Sequence, residues 1–248
     1  MNIPAALVEI LRWSERIMVL TGAGISAESG VPTFRDAQTG LWARFKPEEL
    51  ATPEAFRLNP RLVWDWYAER RAKVRLVAPN PGHYALAAME KLAPDFHLAT
   101  QNVDGLHQRA GSRRVWELHG NLTRVKCFED DGPFENWNET GPLPPRCPRC
   151  GGALRPDVVW FGESLPESAL RAAEAASQKC EVFFSIGTSA MVYPAAGLAH
   201  TAKESGATLV EINTQETPLT RQADFFLGGP AGQFLPELVR AVWPKAQI

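Results

Sequence analysis

The 248-residue sequence predicts an α/β fold built on a doubly wound parallel sheet with a smaller domain inserted. Short runs rich in β-branched and aromatic residues alternate with segments of helical spacing, which is typical of this class. Most of these runs are apolar almost throughout, as strands buried on both faces of a parallel sheet are. Ligands of such sheets bind at the carboxyl ends of the strands.

The runs and segments give the elements in order. Strands are predicted over residues 17–22, 96–102, 115–119, 158–161, 182–187, 208–213 and 224–227, and helices over residues 5–16, 81–92, 168–178, 194–205 and 233–242. Residues 41–78 and 123–153 interrupt the alternation. We interpret them as a helical and a zinc-like module of one small domain, packed against a larger domain of residues 1–40, 79–122 and 154–248.

Composition limits the function classes. The chain has 26 basic and 28 acidic residues, a formal net charge of −2. This balance excludes a broad basic face for nucleic acid and adsorption to a membrane. No stretch approaches the roughly 20 apolar residues of a membrane span, and Glu9 and Arg12 interrupt the apolar N-terminal segment, unlike a signal peptide. We therefore expect a cytoplasmic protein with reduced thiols.

A glycine-rich turn follows the first predicted strand. Gly22, Gly24 and Ala27 fit the fingerprint G-x-G-x-x-G/A, in which backbone N–H groups approach a pyrophosphate. A tight strand-to-helix turn that binds nothing has the same pattern. A dehydrogenase is disfavoured because Ser29-Gly30-Val31-Pro32 shortens the following helix and no acidic residue ends a second strand about 20 residues on.

Five motifs then follow one another along the chain: GAGISAESGVPTFR at 22–35, TQNVDGLH at 100–107, LHGN at 118–121, VVWFGE at 158–163 and GTS at 187–189. Together they resemble the motif series of the sirtuins, which are NAD-dependent protein lysine deacylases. The resemblance spans about Val19 to Ala231 and implies a Rossmann-type large domain with a substrate cleft beside the small domain. It also implies that the acyl oxygen of the substrate attacks the ribose carbon that bears nicotinamide, yielding nicotinamide and 2'-O-acyl-ADP-ribose.

The resemblance assigns residues to this chemistry. It implies that His119 is the catalytic base, which suits an imidazole near neutral pH, although a lone histidine at a strand end more commonly bonds a carbonyl. Asn102 is expected to order a water and the ribose, and Asp104 to hold the nicotinamide amide. The other expected cofactor residues are Gly22, Ala23, Gly24, Ser26, Glu28, Phe34, Arg35, Gln101, Val103, Gly187, Thr188, Ser189, Asn213 and Ala231.

A helix predicted over residues 61–74 carries Tyr67 and Arg70, three residues apart, so both side chains project toward one point. An aromatic core stripe with a solvated arginine is the alternative. Together with the small Ala51, this Tyr-x-x-Arg pattern resembles the sirtuin subgroup that removes acidic acyl groups. A guanidinium meets the carboxylate of a succinyl or malonyl group bidentately. Further expected substrate contacts are Val158, Phe161 and Gly162.

Three of the four cysteines indicate a metal site. Cys147-Pro148-Arg149-Cys150 is typical of half a zinc knuckle, because two thiolates three residues apart can share one tetrahedral ion. In the other half, Cys127 is followed by Asp130 where the family pattern has a second thiolate, so Asp130 is the candidate fourth ligand. A module that packs without metal is the alternative. Cys180 is expected to be a buried thiol.

The sequence thus predicts an NAD-dependent deacylase that removes succinyl and malonyl groups, and acetyl groups less readily, from lysine. Its expected partners are acylated-lysine proteins and NAD, with structural zinc, and neither nucleic acid nor a membrane. Three alternatives are protein ADP-ribosyl transfer, a mainly deacetylating sirtuin, and an NAD sensor without turnover. The presence of His119, Asn102 and Asp104 disfavours the sensor.

Overall fold

The larger sheet is parallel. The computed structural model describes residues 3–32, 45–138 and 140–245. Its strands are β1 (Arg16–Thr21), β2 (Asp95–Thr100), β3 (Val115–Glu117), β4 (Gly120–Cys127), β5 (Pro133–Phe134), β6 (Leu154–Val158), β7 (Val182–Ile186), β8 (Thr208–Asn213) and β9 (Phe225–Gly228). Six of them form a sheet in the order β3-β2-β1-β7-β8-β9, and every neighbouring pair is parallel. The predicted fold class is confirmed.

Helices cover both faces of this sheet. The helices of the described residues are α1 (Ala5–Trp13), α2 (Ala23–Ala27), α3 (Pro47–Leu50), α4 (Pro53–Leu58), α5 (Pro60–Leu76), α6 (Pro81–Leu92), α7 (Leu106–Arg109), α8 (Glu167–Ser177), α9 (Gly197–Glu204) and α10 (Ala231–Val242), of which α3, α4 and α5 pack away from this sheet. In β1, Ile17 and Val19 pack with α1, α6 and α10, whereas Met18 and Leu20 pack with α8 and α9. Successive side chains of a strand point to opposite faces, so a strand covered on both sides is apolar throughout. None of the described helices is long and apolar enough to cross a membrane.

Several helix starts follow from local sequence. Proline occupies the first turn of α4, α5 and α6, where its missing N–H costs nothing. The preceding residues Thr52, Asn59 and Asn80 accept hydrogen bonds from backbone N–H groups of the first turn, at 3.1, 3.1 and 2.9 Å. The helix after the glycine-rich turn, α2, has only five residues, as Ser29-Gly30-Val31-Pro32 predicted.

A second sheet corrects the strand predictions. It has three antiparallel strands in the order β5-β4-β6, and neither β4 nor β5 was predicted. The predicted strand 158–161 is wrong, because β6 ends at Val158. The apolar Trp160 made this run resemble a strand, but its side chain packs outside any strand, in an apolar core with Phe56 and Trp66, at 2% exposure.

That core joins segments distant in the chain. Leu50, Phe56 and Trp66 of the helical segment pack with Leu122 of β4 and with Trp160. A second cluster places Trp64 of α5 against Val125, Leu154 and two of the cysteines. The described parts of residues 41–78 and 123–153 therefore share apolar contacts, which supports the proposal that they form one small domain, and Leu122, Leu154 and Trp160 of the predicted larger domain pack in the same clusters.

Candidate functional site

Two glycine turns meet where the strand order reverses. The strand β1 lies between β2 and β7, so the crevice that binds ligands in such sheets opens beyond the carboxyl ends of β1 and β7. Gly22 N–H donates to the Ile186 carbonyl and Gly24 N–H to the Gly187 carbonyl, both at 2.9 Å. A Cβ on Gly24 would lie 2.6 Å from Gly187 Cα. These two glycines are therefore required by backbone packing, and their N–H groups are bonded within the protein.

A buried polar network continues this crevice beyond β2. Ser26 Oγ donates to Asp104 Oδ2 at 2.7 Å and accepts from Asn102 Nδ2 at 3.0 Å, which also donates to the Gly22 carbonyl. Asp104 Oδ1 accepts from Leu106 N–H at 2.9 Å. Burial raises the pKa of Asp104 above 3.8, although these hydrogen bonds oppose the rise. Three predicted cofactor residues thus form one connected group.

Two buried histidines that the sequence analysis missed lie against this network. The rings of His83 and His107 are 4.9 Å apart. His83 Nε2 lies 3.4 Å from Ser26 Oγ, and His107 Nε2 lies 2.9 Å from Thr21 Oγ1. Burial lowers the pKa of His83 to about 4 and that of His107 well below 6.5, the latter with a smaller contribution from His83. Both rings are therefore neutral at pH 7.

His119 lies just beyond β3, opposite Gln101. Its Nδ1 lies 2.9 Å from the Gln101 carbonyl oxygen. A carbonyl only accepts, so Nδ1 carries the proton and Nε2 has a free lone pair. Burial lowers the pKa of His119 below 6.5, although the hydrogen bond to Gln101 opposes this. The imidazole is neutral at pH 7, as a general base must be.

The segment 158–162 connects His119 to the predicted acyl-binding residues. Val159 N–H donates to the His119 carbonyl, and Phe161 N–H donates to the Ala51 carbonyl, both at 2.9 Å. Trp160 Nε1, between them, donates to Tyr67 Oη at 2.9 Å. Three consecutive residues thus bring together a predicted catalytic residue and two predicted substrate-binding residues that lie far apart in the sequence. At the ends of the segment, Val158 is buried and Gly162 is exposed.

Tyr67 and Arg70 lie on the same helix, α5. Burial raises the pKa of Tyr67 to about 12, which the nearby Arg70 partly counteracts. Burial also lowers the pKa of Arg70 below its ordinary value. The Arg70 guanidinium lies 5.0 Å from the centroid of the Trp66 ring and has neither a carboxylate nor a hydrogen-bond acceptor among the described residues. A half-buried cation without an anion favours a negatively charged ligand.

The other predicted cofactor residues that the structure describes lie along the same sheet edge. Asn213, at the end of β8, donates from Nδ2 to the Thr188 carbonyl at 2.7 Å. Glu28 accepts from Gly232 N–H at 2.8 Å, which ties the turn after α2 to the start of α10 at Ala231. The other predicted positions along this edge are Ala23, Val103 and Ser189. Phe34 and Arg35 lie outside the described residues.

Three of the four predicted metal ligands come together. The sulfurs of Cys127, Cys147 and Cys150 lie within 4.8 Å of one another, and those of Cys127 and Cys150 are 3.5 Å apart. Sulfurs about 3.8 Å apart are what a tetrahedral zinc with bonds of about 2.3 Å requires, so the donor set fits zinc. Asp130 is not part of this cluster: its carboxylate accepts from Arg149 Nη2 at 2.9 and 3.2 Å. Cys180 is buried among apolar residues.

The chain is similar in sequence to known proteins over most of its length. The chain matches the Sir2 family over residues 22–194. It is 54% identical over 236 residues to the NAD-dependent protein deacylase of Ralstonia nicotianae (strain ATCC BAA-1114 / GMI1000), covering 95% of this chain and 96% of that protein. It is 57% identical over 211 residues to the NAD-dependent protein deacylase of Aquifex aeolicus (strain VF5), covering 84% and 87%.

Solved structures give the same result. A crystal structure of a Sir2 homolog–NAD complex superposes with a TM-score of 0.91 at 48% identity, covering 97% of this chain and 94% of that one. A Sir2 complex with a deacetylated peptide and 3'-O-acetyl ADP ribose superposes with a TM-score of 0.83 at 32% identity, covering 95% and 96%. The fold, the ordered motifs and these matches lead to one conclusion, that the chain belongs to the Sir2 family.

Proposed function

We propose that the protein is an NAD-dependent protein lysine deacylase that prefers acidic acyl groups, succinyl and malonyl above acetyl. The observation that carries this proposal is the connection made by residues 158–162. The backbone that bonds to His119 and the side chain that bonds to Tyr67 belong to adjacent residues, Val159 and Trp160. An acyl-lysine held along this segment would place its reacting carbonyl near His119 and its acyl end near Tyr67.

The residues around the sheet edge fit NAD as co-substrate. A ribose and a carboxamide carry hydroxyl and amide donors that need acceptors fixed in a water-poor site. The buried amide oxygen of Asn102 and carboxylate of Asp104 offer such acceptors, while the Asn102 N–H groups bond within the protein. The relatives named as NAD-dependent and the NAD complex of a similar structure support this assignment. When bound, NAD supplies an electrophilic ribose carbon and nicotinamide as leaving group.

The roles of the protein's own groups follow from their protonation states. His119 Nε2, unprotonated at neutral pH, accepts a proton from a ribose hydroxyl, and the Gln101 carbonyl holds the ring by its Nδ1–H. Ser26 donates to Asp104 and so keeps that carboxylate oriented, which leaves Asp104 to position the carboxamide. These assignments give a chemical role to the half-buried His119 and to the buried pair Ser26 and Asp104.

The acyl preference rests on the partners of Tyr67 and Arg70. Tyr67 accepts a hydrogen bond from Trp160, so its own O–H is directed elsewhere. The pKa of about 12 that burial gives Tyr67 keeps this proton in place at any physiological pH. Arg70 adds a cation with no anion among the described residues. A terminal carboxylate fits both, whereas an acetyl group would leave a half-buried guanidinium unpaired.

A panel of acetyl, malonyl, succinyl and glutaryl lysine peptides of one sequence, each with and without NAD, tests the whole proposal. We expect turnover that requires NAD, with kcat/KM for the succinyl or malonyl peptide at least about tenfold above that for the acetyl peptide. Equal values for all peptides would contradict the acidic preference but not the deacylase activity. ADP-ribose found by mass analysis on the peptide or protein acceptor would identify ADP-ribosyl transfer instead.

The variant Arg70→Met tests the pocket. Removing the cation should lower kcat/KM for the succinyl peptide by about 10- to 100-fold, because a charge-assisted hydrogen bond to the carboxylate is lost, while deacetylation changes by less than about threefold. Arg61→Met, on the exposed side of the same helix and paired there with Asp65, is the matched control and should change neither activity. If desuccinylation by Arg70→Met keeps its efficiency relative to deacetylation, the pocket assignment is wrong.

A further inference from the structure

The phenol of Tyr67 is fixed from outside the acyl pocket. The indole Nε1–H of Trp160 donates to Tyr67 Oη at 2.9 Å, and both side chains are buried. An indole nitrogen only donates, so Tyr67 Oη is the acceptor. A phenolic O–H prefers the plane of its ring and therefore has two orientations. The Trp160 hydrogen blocks the one that points toward the indole, so the Tyr67 proton points away from it.

Trp160 is held in turn by a buried ion pair. The guanidinium carbon of Arg155 lies 3.3 Å from the centroid of the Trp160 ring. Arg155 pairs through both terminal nitrogens with the carboxylate of Glu163, and its Nη2 also donates to the Val158 carbonyl at 2.8 Å. Glu163 Oε2 accepts from the backbone N–H of Trp160 at 2.7 Å. Arg155 therefore holds the face of the Trp160 ring, and Glu163 holds the backbone of the same residue.

An ion pair buried this deeply contributes little stability on balance. The Arg155 side chain is 2% exposed and that of Glu163 22%. The free-energy cost of desolvating two such groups is about as large as the gain from their electrostatic attraction. A buried ion pair is therefore weak evidence for a stabilising role. What this pair does accomplish is geometric, since its members contact Trp160 from two directions.

We propose that Arg155 and Glu163, acting through Trp160, are positioning residues for acyl selection, because they direct the hydroxyl proton of Tyr67 toward the end of the acyl chain. The inference rests on the proposed function. Accepting a hydrogen bond also polarises the phenol, which makes its O–H a better donor to a carboxylate. An acetyl group does not reach this proton and gains nothing from its orientation.

The variant Trp160→Phe keeps an aromatic ring and removes the donor. We expect KM for the succinyl peptide to rise about fivefold with kcat little changed, and KM for the acetyl peptide of the same sequence to change less than about twofold. Trp64→Phe is the matched control. Trp64 is buried in the same helix as Tyr67, but its Nε1 has no partner among the described residues, so both peptides should keep their KM.

A double-mutant cycle separates positioning from a general structural role. If Trp160 acts through the Tyr67 hydroxyl, Trp160→Phe should have no further effect on the succinyl KM in a Tyr67→Phe background. An effect that persists in full there, or an equal loss for both peptides, would overturn the inference. Should Trp160→Phe fail to fold by circular dichroism, Glu163→Gln gives the same test. It should raise the succinyl KM selectively by about twofold to threefold, and an unselective change would again overturn it.

The wild-type enzyme distinguishes failure of this inference from failure of the proposed function. A wild-type preference for succinyl that Trp160→Phe leaves intact would overturn this inference alone. A wild-type enzyme without that preference would overturn the proposed function, and the inference with it.

Discussion

At the scale of single residues, His119 is the group whose chemistry depends most directly on one contact. The Gln101 carbonyl selects the Nδ1–H tautomer, and burial keeps the ring neutral. Because the pKa of His119 is lowered, kcat/KM should stay level as the pH falls through 6.5 and decline only at lower pH, where the ring in the folded enzyme takes up a proton.

Replacing His119 tests its role on every substrate at once. His119→Tyr should abolish turnover of all acyl lysines, because a phenol with a pKa near 10 does not accept a proton at neutral pH. Product formation by mass spectrometry and nicotinamide release are the measurements. Nicotinamide released with acyl peptide at the wild-type rate would remove His119 from the mechanism.

The buried histidines make a prediction about stability against pH. The pKa of His83 is lowered to about 4 by burial, against 6.5 in the unfolded chain, so the unfolded state binds more protons between these values. The free energy of unfolding should thus be highest above about pH 6.5 and decrease as the pH falls toward 4. His83 alone accounts for a decrease of about 3 kcal/mol.

Urea unfolding at several pH values between 7.5 and 4.5 measures this dependence. His83→Gln should show a smaller decrease than the wild type, whereas His200→Gln, at a partly exposed side chain bonded to Gln222, should show the same decrease. Asp104, whose pKa burial raises, acts in the opposite direction but is present in all three proteins. Identical slopes for wild type and His83→Gln would contradict the prediction.

At the scale of elements, the contact between the turns after β1 and β7 sets the geometry of the crevice. Gly24→Ala should lower the free energy of unfolding by about 2–3 kcal/mol, because its Cβ would lie 2.6 Å from Gly187 Cα and the backbone there cannot yield cheaply. Gly141→Ala, whose Cβ meets nothing within 4 Å, is the control and should change it by less than about 0.5 kcal/mol. Equal stabilities in urea would show that the two turns are not in close contact.

The cluster of three thiols makes a prediction about metal content. Purified protein should contain about one zinc per chain by elemental analysis, and Cys127→Ser should lose it, because Cys127 is the thiol of the second half of the knuckle and lies within 4.8 Å of the other two. Cys180→Ala, at a buried thiol outside the cluster, should keep the metal. Less than about a tenth of an equivalent in the wild type would count against the site. The zinc content of Asp130→Asn tests whether Asp130 gives up its hydrogen bonds to Arg149 and acts as the fourth ligand, in which case the variant should bind less zinc.

At the scale of the whole molecule, the parallel sheet could be predicted because its strands β1, β7 and β8 are largely buried runs that stand out in the sequence. Residues 208–213 and 81–92 match β8 and α6 residue for residue. The small antiparallel sheet could not, since β4 combines buried and exposed residues without regular alternation. The position of β6, which ends at Val158 where the predicted strand began, was missed because Trp160 is buried by tertiary packing and not within a strand.

The site likewise contains residues that could be predicted from the sequence and residues that could not. Residues at strand ends, such as Asn102 and Asp104, were predictable from motifs whose elements the sheet brings together. His83 was missed because a buried neutral imidazole has no sequence pattern of its own, although the capping box of Asn80 and His83 was a usable signal. His107 ends the motif at 100–107, but the motif alone assigned it no role. The burial of Arg155 could not be predicted, because an arginine is expected at the surface unless its partners, here Glu163 and the Trp160 ring, are known.

The connections made by residues 158–162 have a consequence for redesign and for divergence. Since Val159 bonds to His119 and Phe161 to Ala51, any displacement of this backbone would alter turnover and substrate choice together. The side chains of Tyr67 and Arg70 on α5 do not make these backbone hydrogen bonds. New acyl preferences should therefore arise by exchanging residues at positions 67 and 70 on an unchanged backbone. Laboratory selection for another acyl group should accumulate substitutions there first.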